Sequence, residues 1–267
     1  MPLVKTRAIL FRAHPYSETS KVLRFYTEEL GLVGVMARGN RRQASKGRGA
    51  PDTFGEGVAV ISYNPSRDLH SLREFAPTCV RFGLGQDLRR LAGASVLAEL
   101  VLRHAGQEPH EALFRQLTIA LDSLSEGADE RLVSELLTHA WGVVQLLGFG
   151  PVLDCCTHCG REVGADEMGR FDHESGGLRC SGCPHGEHAP RLGPVARGQL
   201  QELMSGVPVA VVRKATAQVS LLDDFVTFHM LGGRRLESFR FLHGWGVGEG
   251  TEHEEGPGDR GDAHAET

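Results

Sequence analysis

The sequence predicts an α+β chain of several domains: a small N-terminal β-barrel, then an α-helical domain carrying an inserted four-cysteine module. Three observations predict it. Short apolar runs of strand length fill the first 80 or so residues, the apolar period then changes to that of helices, and five of the six cysteines fall between positions 155 and 183. At 267 residues and 40% hydrophobic content the chain can build two or three packed modules.

The barrel comes first. Residues 4–11, 21–27, 32–38, 58–63 and 69–80 read as strands bounded by turns. In the second, Val22, Arg24 and Tyr26 share one face while Leu23 and Phe25 share the other, and Glu28-Glu29-Leu30-Gly31 turns into the third. Five strands in about 80 residues suit a closed or partly open barrel of the oligonucleotide-binding (OB) type, which removes exposed edges by curling on itself. A small barrel of another topology would give the same string.

The third strand delivers a basic loop. Leu32 to Gly49 reads LVGVMARGNRRQASKGRG, an apolar run that ends in Arg38, Arg41, Arg42, Lys46 and Arg48 with no acidic residue. Such a loop can neutralise phosphates, the competing reading being a solvated charge run. Formal charge is uneven: residues 1–80 hold 12 Lys and Arg against 7 Asp and Glu, a net +5, within a chain whose total is -5. The average conceals a basic head. Lys21 and Arg24 on the adjoining strand are further candidates for phosphate contact. Phe25, Tyr26 and Tyr63 are candidates for base stacking, with core packing as the competing reading.

Past Phe82 the pattern is helical. Residues 87–104, 111–124 and 130–147 repeat leucines and valines at helical spacing and form a bundle, with Pro109 as a start signal for the second. Residues 194–204 and 219–231 resume the helical domain after the insert, followed by 236–242. The expected organisation is a barrel over 1–82, helices over 83–150, the insert over 151–190, continued helices over 191–247 and a disordered acidic tail over 248–267, where seven acids face Arg260 alone. No apolar run reaches the 18 or so residues of a membrane span, and Arg12 stands where a signal peptide would be cleaved. The expectation is a cytoplasmic protein.

Cys156-Thr157-His158-Cys159 and Cys180-Ser181-Gly182-Cys183 are two CxxC pairs with 20 residues between them. Each two-residue gap lets both sulfurs of a turn reach one ion, and the separation falls in the zinc-ribbon range, so the expectation is a structural Zn²⁺ on Cys156, Cys159, Cys180 and Cys183. Cys155 in place of Cys156, or a histidine among His158, His173, His185 and His188, stays open as an alternative ligand. Enzymatic signatures are missing: no H-x-E precedes a P-C-x-x-C, and there is no H-E-x-x-H, no G-x-x-x-x-G-K-[ST] and no G-x-S-x-G. The expectation is a protein without a catalytic site.

Several segments together resemble the RecO family of bacterial recombination mediators and DNA repair proteins. They are Tyr16-Ser17-Glu18-Thr19-Ser20; Glu29-Leu30-Gly31 followed by VMARGNRRQASKGRG; FGEGVAVISYNPSRDLHSLREF; CTHCG and GGLRCSGC; and FVTFHMLGGRRLESFRFL. Ser17-Glu18 stands where the family pattern has Gly-Glu, and the acidic extension after Gly248 falls outside it. The resemblance implies that the head binds single- and double-stranded DNA and anneals complementary strands. It implies action with RecR to displace single-strand-binding protein so that RecA can load, uptake of that protein's C-terminal peptide by the helical body, and association with the nucleoid. Rival readings are a zinc-ribbon adaptor without DNA activity and an RNA-binding OB protein.

Overall fold

The computed structural model describes residues 2–38, 52–186 and 189–242. Five strands, β1 (Leu3–Ser17), β2 (Ser20–Thr27), β3 (Gly31–Arg38), β4 (Glu56–Ser62) and β5 (Leu69–Cys79), close into a barrel in the order β1-β2-β3-β5-β4. All neighbours are antiparallel except β3 and β5, which run parallel. The fold is OB-like, and the alternation read from β2 holds. Leu23 and Phe25 point into the barrel with Leu10, Val35 and Ile61, while Tyr26 points out with Ile9 and Phe11 into the helices. Gly57 leaves room for this filling, because a Cβ there would lie 2.5 Å from the Phe75 ring.

Among the described residues five α-helices follow: α1 (Leu88–His104), α2 (Glu111–Glu126), α3 (Leu132–Leu146), α4 (Pro194–Met204) and α5 (Ala215–His229). Asp87 caps α1 by accepting from the Arg89 amide, and His110 caps α2 through Nδ1, which accepts from the Leu113 amide. The third helix begins two residues later than its apolar pattern suggests, behind a 3₁₀ turn over Asp129–Arg131. The fifth begins at Ala215, four residues before the expected start. Its first turn, Ala-Thr-Ala-Gln, carries no large apolar residue for a periodicity argument to find. Residues 236–242 form a 3₁₀ turn (Glu237–Phe241) rather than a longer helix. Trp141 of α3 is fully buried and meets the Phe225 ring of α5 edge-on at 5.3 Å.

Between α3 and α4 lies a three-stranded antiparallel sheet in the order β7 (Gly177–Cys180), β6 (Gly169–Asp172), β8 (Arg191–Leu192). Its large apolar residues, Phe171 and Leu178 among them, belong to the same cluster as the helices.

The barrel is joined to the helices by a buried ionic node. Glu56 of β4 accepts from Arg7 Nη2 at 2.7 Å, from Arg81 Nη2 at 3.2 Å and from Thr118 Oγ1 of α2 at 3.3 Å. Arg81 also donates to Asp122 Oδ1 at 2.7 Å and to the Phe54 carbonyl at 2.8 Å, while the Arg7 guanidinium lies 4.9 Å over the Phe114 ring. On the other side of the seam the β2–β3 turn is pressed against the loop after α1. Gly31, at φ +61, has no space for a side chain, since a Cβ there would stand 2.4 Å from the Glu108 carbonyl oxygen.

Candidate nucleic-acid interface and cysteine cluster

β1 outruns its expected end at Phe11 by six residues. Past Ile9 its register with β4 stops, and the strand continues along β2 alone as far as Ser17. Arg12, Ala13, His14 and Pro15 show no apolar alternation, so nothing in the sequence marks them as strand. What holds them is the ladder to β2, interrupted by irregularities at Leu10/Arg12 and Pro15/Ser17.

This extension gathers positive charge. Arg12 stands directly across from Arg24, and Arg24 directly across from Gly34 on β3. Because Gly34 has no side chain, the Arg24 guanidinium lies across it, Nη1 being 3.0 Å from where a Cβ would begin. Lys21 pairs with Pro15 on one side and Ala37 on the other, and Arg38 pairs with Ser20. Lys21 and Arg38 are exposed. Among the described residues no carboxylate comes within ion-pair distance of Arg12, Lys21, Arg24 or Arg38. Like charges facing each other across a ladder destabilise it, and an anion placed between them would relieve the repulsion.

Of the three stacking candidates, Phe25 and Tyr26 take the competing role of core residues. Phe25 is buried in the barrel, stacked on Phe75 at 5.4 Å. Tyr26 is sealed in the seam between Phe11 and Phe114, and burial pushes its phenol up to about 12. Tyr63 is half-buried against the His70 ring at 4.5 Å. Burial holds that histidine below its usual range, and Nδ1 accepts from the Asn64 amide, which leaves the proton on Nε2.

The four cysteines converge. The Sγ atoms of Cys156, Cys159, Cys180 and Cys183 all lie within 4.8 Å of one another, and Cys159 and Cys180 are 3.9 Å apart. Four thiolates about 2.3 Å from one ion at tetrahedral angles stand about 3.8 Å apart, so the donor set fits a tetrahedral metal. Each pair sits on a tight turn, Gly160 N–H to Cys156 O at 2.9 Å and Cys183 N–H to Cys180 O at 3.2 Å, with Gly160 at φ +73. Neither Cys155 nor any described histidine joins the group.

The thiols are driven in opposite directions. Burial raises the Cys156 thiol, but the backbone amides of Cys180, Cys159 and His158 together with the Cys159 thiol outweigh it and bring it down to about 6. Contact with Cys159, then burial and the thiols of Cys180 and Cys156, push Cys183 up to about 12. Neighbouring thiolates repel, and a dication among them removes the conflict.

Residues 1–79 match the family described as Recombination protein O N terminal, and residues 85–222 match Recombination protein O C terminal. A protein of Anaeromyxobacter sp. (strain K) named DNA repair protein RecO is 32% identical over 91% of this chain and 96% of its own length. The chain belongs to the RecO family. Relatives of the same name from Exiguobacterium sp. (34% identical, covering 68% of this chain and 71% of theirs) and Pelotomaculum thermopropionicum (30%, 92% and 96%) extend the match.

In this RecO-family chain the described cations of the candidate interface are Arg12, Arg24 and Arg38 on one face of the ladder, with Lys21 on the opposite face. Arg41, Arg42, Lys46 and Arg48 lie outside the described residues. Sequence reasoning missed Arg12, and the signal that could have found it is weak, because only the β1–β2 register places it beside Arg24. Among the described residues no helix is long and apolar enough to cross a membrane.

Proposed function

We propose that this chain is a DNA repair and recombination mediator that binds single- and double-stranded DNA, anneals complementary strands and, with RecR, helps replace single-strand-binding protein by RecA. The observation that carries it is the unneutralised Arg12/Arg24 pair, continued by Arg38 on the same face, on an OB-type barrel. In the sequence Arg38 is followed directly by the segment holding Arg41, Arg42, Lys46 and Arg48.

Annealing two polyanions is slowed by their mutual repulsion. Cations that neutralise phosphates on both strands lower that barrier and leave base edges free to pair, and no nucleotide hydrolysis is asked of the protein. The four cysteines are proposed to hold a structural Zn²⁺. All four positions are protein sulfurs, which leaves none for water or substrate.

The test is annealing of complementary DNA oligonucleotides at rising salt, with and without single-strand-binding protein. Arg41→Glu with Arg42→Glu is expected to weaken DNA binding and to flatten the slope of log affinity against log salt by about 0.7 for each single-strand phosphate that is no longer neutralised. Unchanged binding removes the loop from the mechanism, and absence of annealing by the wild-type chain removes the reading.

A further inference from the structure

We infer that Tyr16, at the tip of the β1–β2 hairpin, is a base-stacking residue that gives this surface a preference for single-stranded nucleic acid; the inference rests on the DNA-binding reading above. Tyr16 is 70% exposed, and the two residues on either side of it are exposed as well. It falls in the irregularity between the pairs Pro15↔Lys21 and Ser17↔Ser20, so it has no partner across the ladder. Bulged residues are re-aimed out of the regular pleat, and here the residue so aimed is a large flat ring. Among the described residues its ring meets no other ring and no cation.

Its surroundings match a nucleotide on both counts. Lys21 crosses from Pro15, and Arg12 and Arg24 face each other further along the same hairpin, so phosphates find cations within a few residues of the ring. Glu18 in the turn is the one acid between Arg12 and Arg24. The alternative use of this edge, addition of a partner strand, is disfavoured by Pro15, which has no N–H to donate.

Every base offers a π-face, so stacking is tolerant of sequence, but in a duplex those faces already stack on one another. Tyr16 therefore discriminates strands by number, where the arginines respond to charge alone.

The experiment compares the full chain with Tyr16→Ala, Tyr16→Phe and Tyr16→Trp against three probes: oligothymidylate, an abasic deoxyribose-phosphate strand of equal length, and a blunt duplex. Tyr16→Ala is expected to bind oligothymidylate about tenfold more weakly, the abasic strand and the duplex as the parent does, and with an unchanged salt slope. Tyr16→Phe restores binding, and the added indole of Tyr16→Trp is quenched by oligothymidylate but not by the abasic strand. Equal loss on the thymidylate and abasic strands, or no loss on either, overturns the inference while leaving the DNA reading in place. Failure of the parent chain to bind any probe overturns both.

Discussion

The barrel and the cysteine ribbon are both small β-modules set on the same helices, and they are secured in different ways. The barrel owns a core: Leu10, Leu23, Phe25, Val35 and Ile61 pack inside it, separate from the helical cluster. The ribbon owns none, since Leu153, Val163, Phe171 and Leu178 are continuous with the apolar interior of the helices. A module of about 40 residues cannot bury enough surface to hold itself together, and needs a staple or a host. The ribbon has a candidate staple in its four sulfurs and a host in α3, α4 and α5. The barrel needs its neighbours for orientation, which the Glu56 node supplies, more than for existence.

The largest expected effect follows from that contrast. Removal of the proposed Zn²⁺, or Cys159→Ser, should destabilise the ribbon and the helices that share its core by about 5 kcal/mol or more if a structural zinc is held there. Amide exchange is expected to accelerate at Phe171 and Leu178 while Leu10 and Phe25 keep their protection. Equal loss of protection in the barrel would show that the two modules are not independent. Next in size is Arg81→Ala, expected to cost about 3 kcal/mol. It leaves Glu56 buried with Arg7 as its remaining cation and Asp122 without its partner, the circumstance in which breaking a buried pair is expensive. Here the barrel should loosen from the helices with the ribbon unaffected, the reverse of the first result.

Acid sharpens the same comparison with a smaller effect. His139 of α3 is buried, its Nδ1 is 3.1 Å from Gln116 Nε2, and burial pushes it down from 6.5 to about 4. The unfolded chain takes up the proton first. Its contribution is therefore complete above about pH 6.5 and is lost as pH falls through about 4. The loss is at most about 3 kcal/mol, and less to the extent that Glu135, 3.5 Å from Nε2, stabilises the imidazolium. Denaturant midpoints between pH 7 and 4 should fall less steeply in His139→Gln than in the parent; equal slopes would assign the acid sensitivity to other groups.

Those contrasts were only partly legible in the sequence. Alternation in β2 announced both faces of the barrel wall, because burial on one side and on the other selects residues with period two. The two CxxC pairs announced the cluster of four sulfurs, since the spacing itself fixes the turn. Nothing announced the partnership of Glu56 with Arg81, which is a matter of how the barrel docks and has no characteristic spacing. Nor did Arg12 stand out, because its meaning comes from the residue across the ladder, or the ribbon's lack of a core, because Phe171 and Leu178 read like the interior of any strand. Tyr16 was present in a family-like segment, but only exposure distinguishes it from Tyr26.

The smallest expected effect concerns a second buried arginine. Arg197 of α4 is as enclosed as Arg81, yet it meets no carboxylate: Nη2 donates to the carbonyls of Gly164 and Ala165, and Nη1 has no partner among the described residues. Two dipoles compensate a buried charge less well than two anions, so the desolvation cost of this guanidinium offsets most of what its hydrogen bonds contribute. Arg197→Met, which keeps the volume and discards the charge, should change stability by no more than about 1 kcal/mol in either direction. Arg197→Ala should cost more, through the cavity it leaves against the ribbon. A chemical-denaturation series on the metal-loaded chain separates the cases. If Arg197→Met proves as damaging as Arg81→Ala, the ribbon is held by its hydrogen bonds to α4 as firmly as the barrel is held by its ion pairs, and the contrast between the two seams fails.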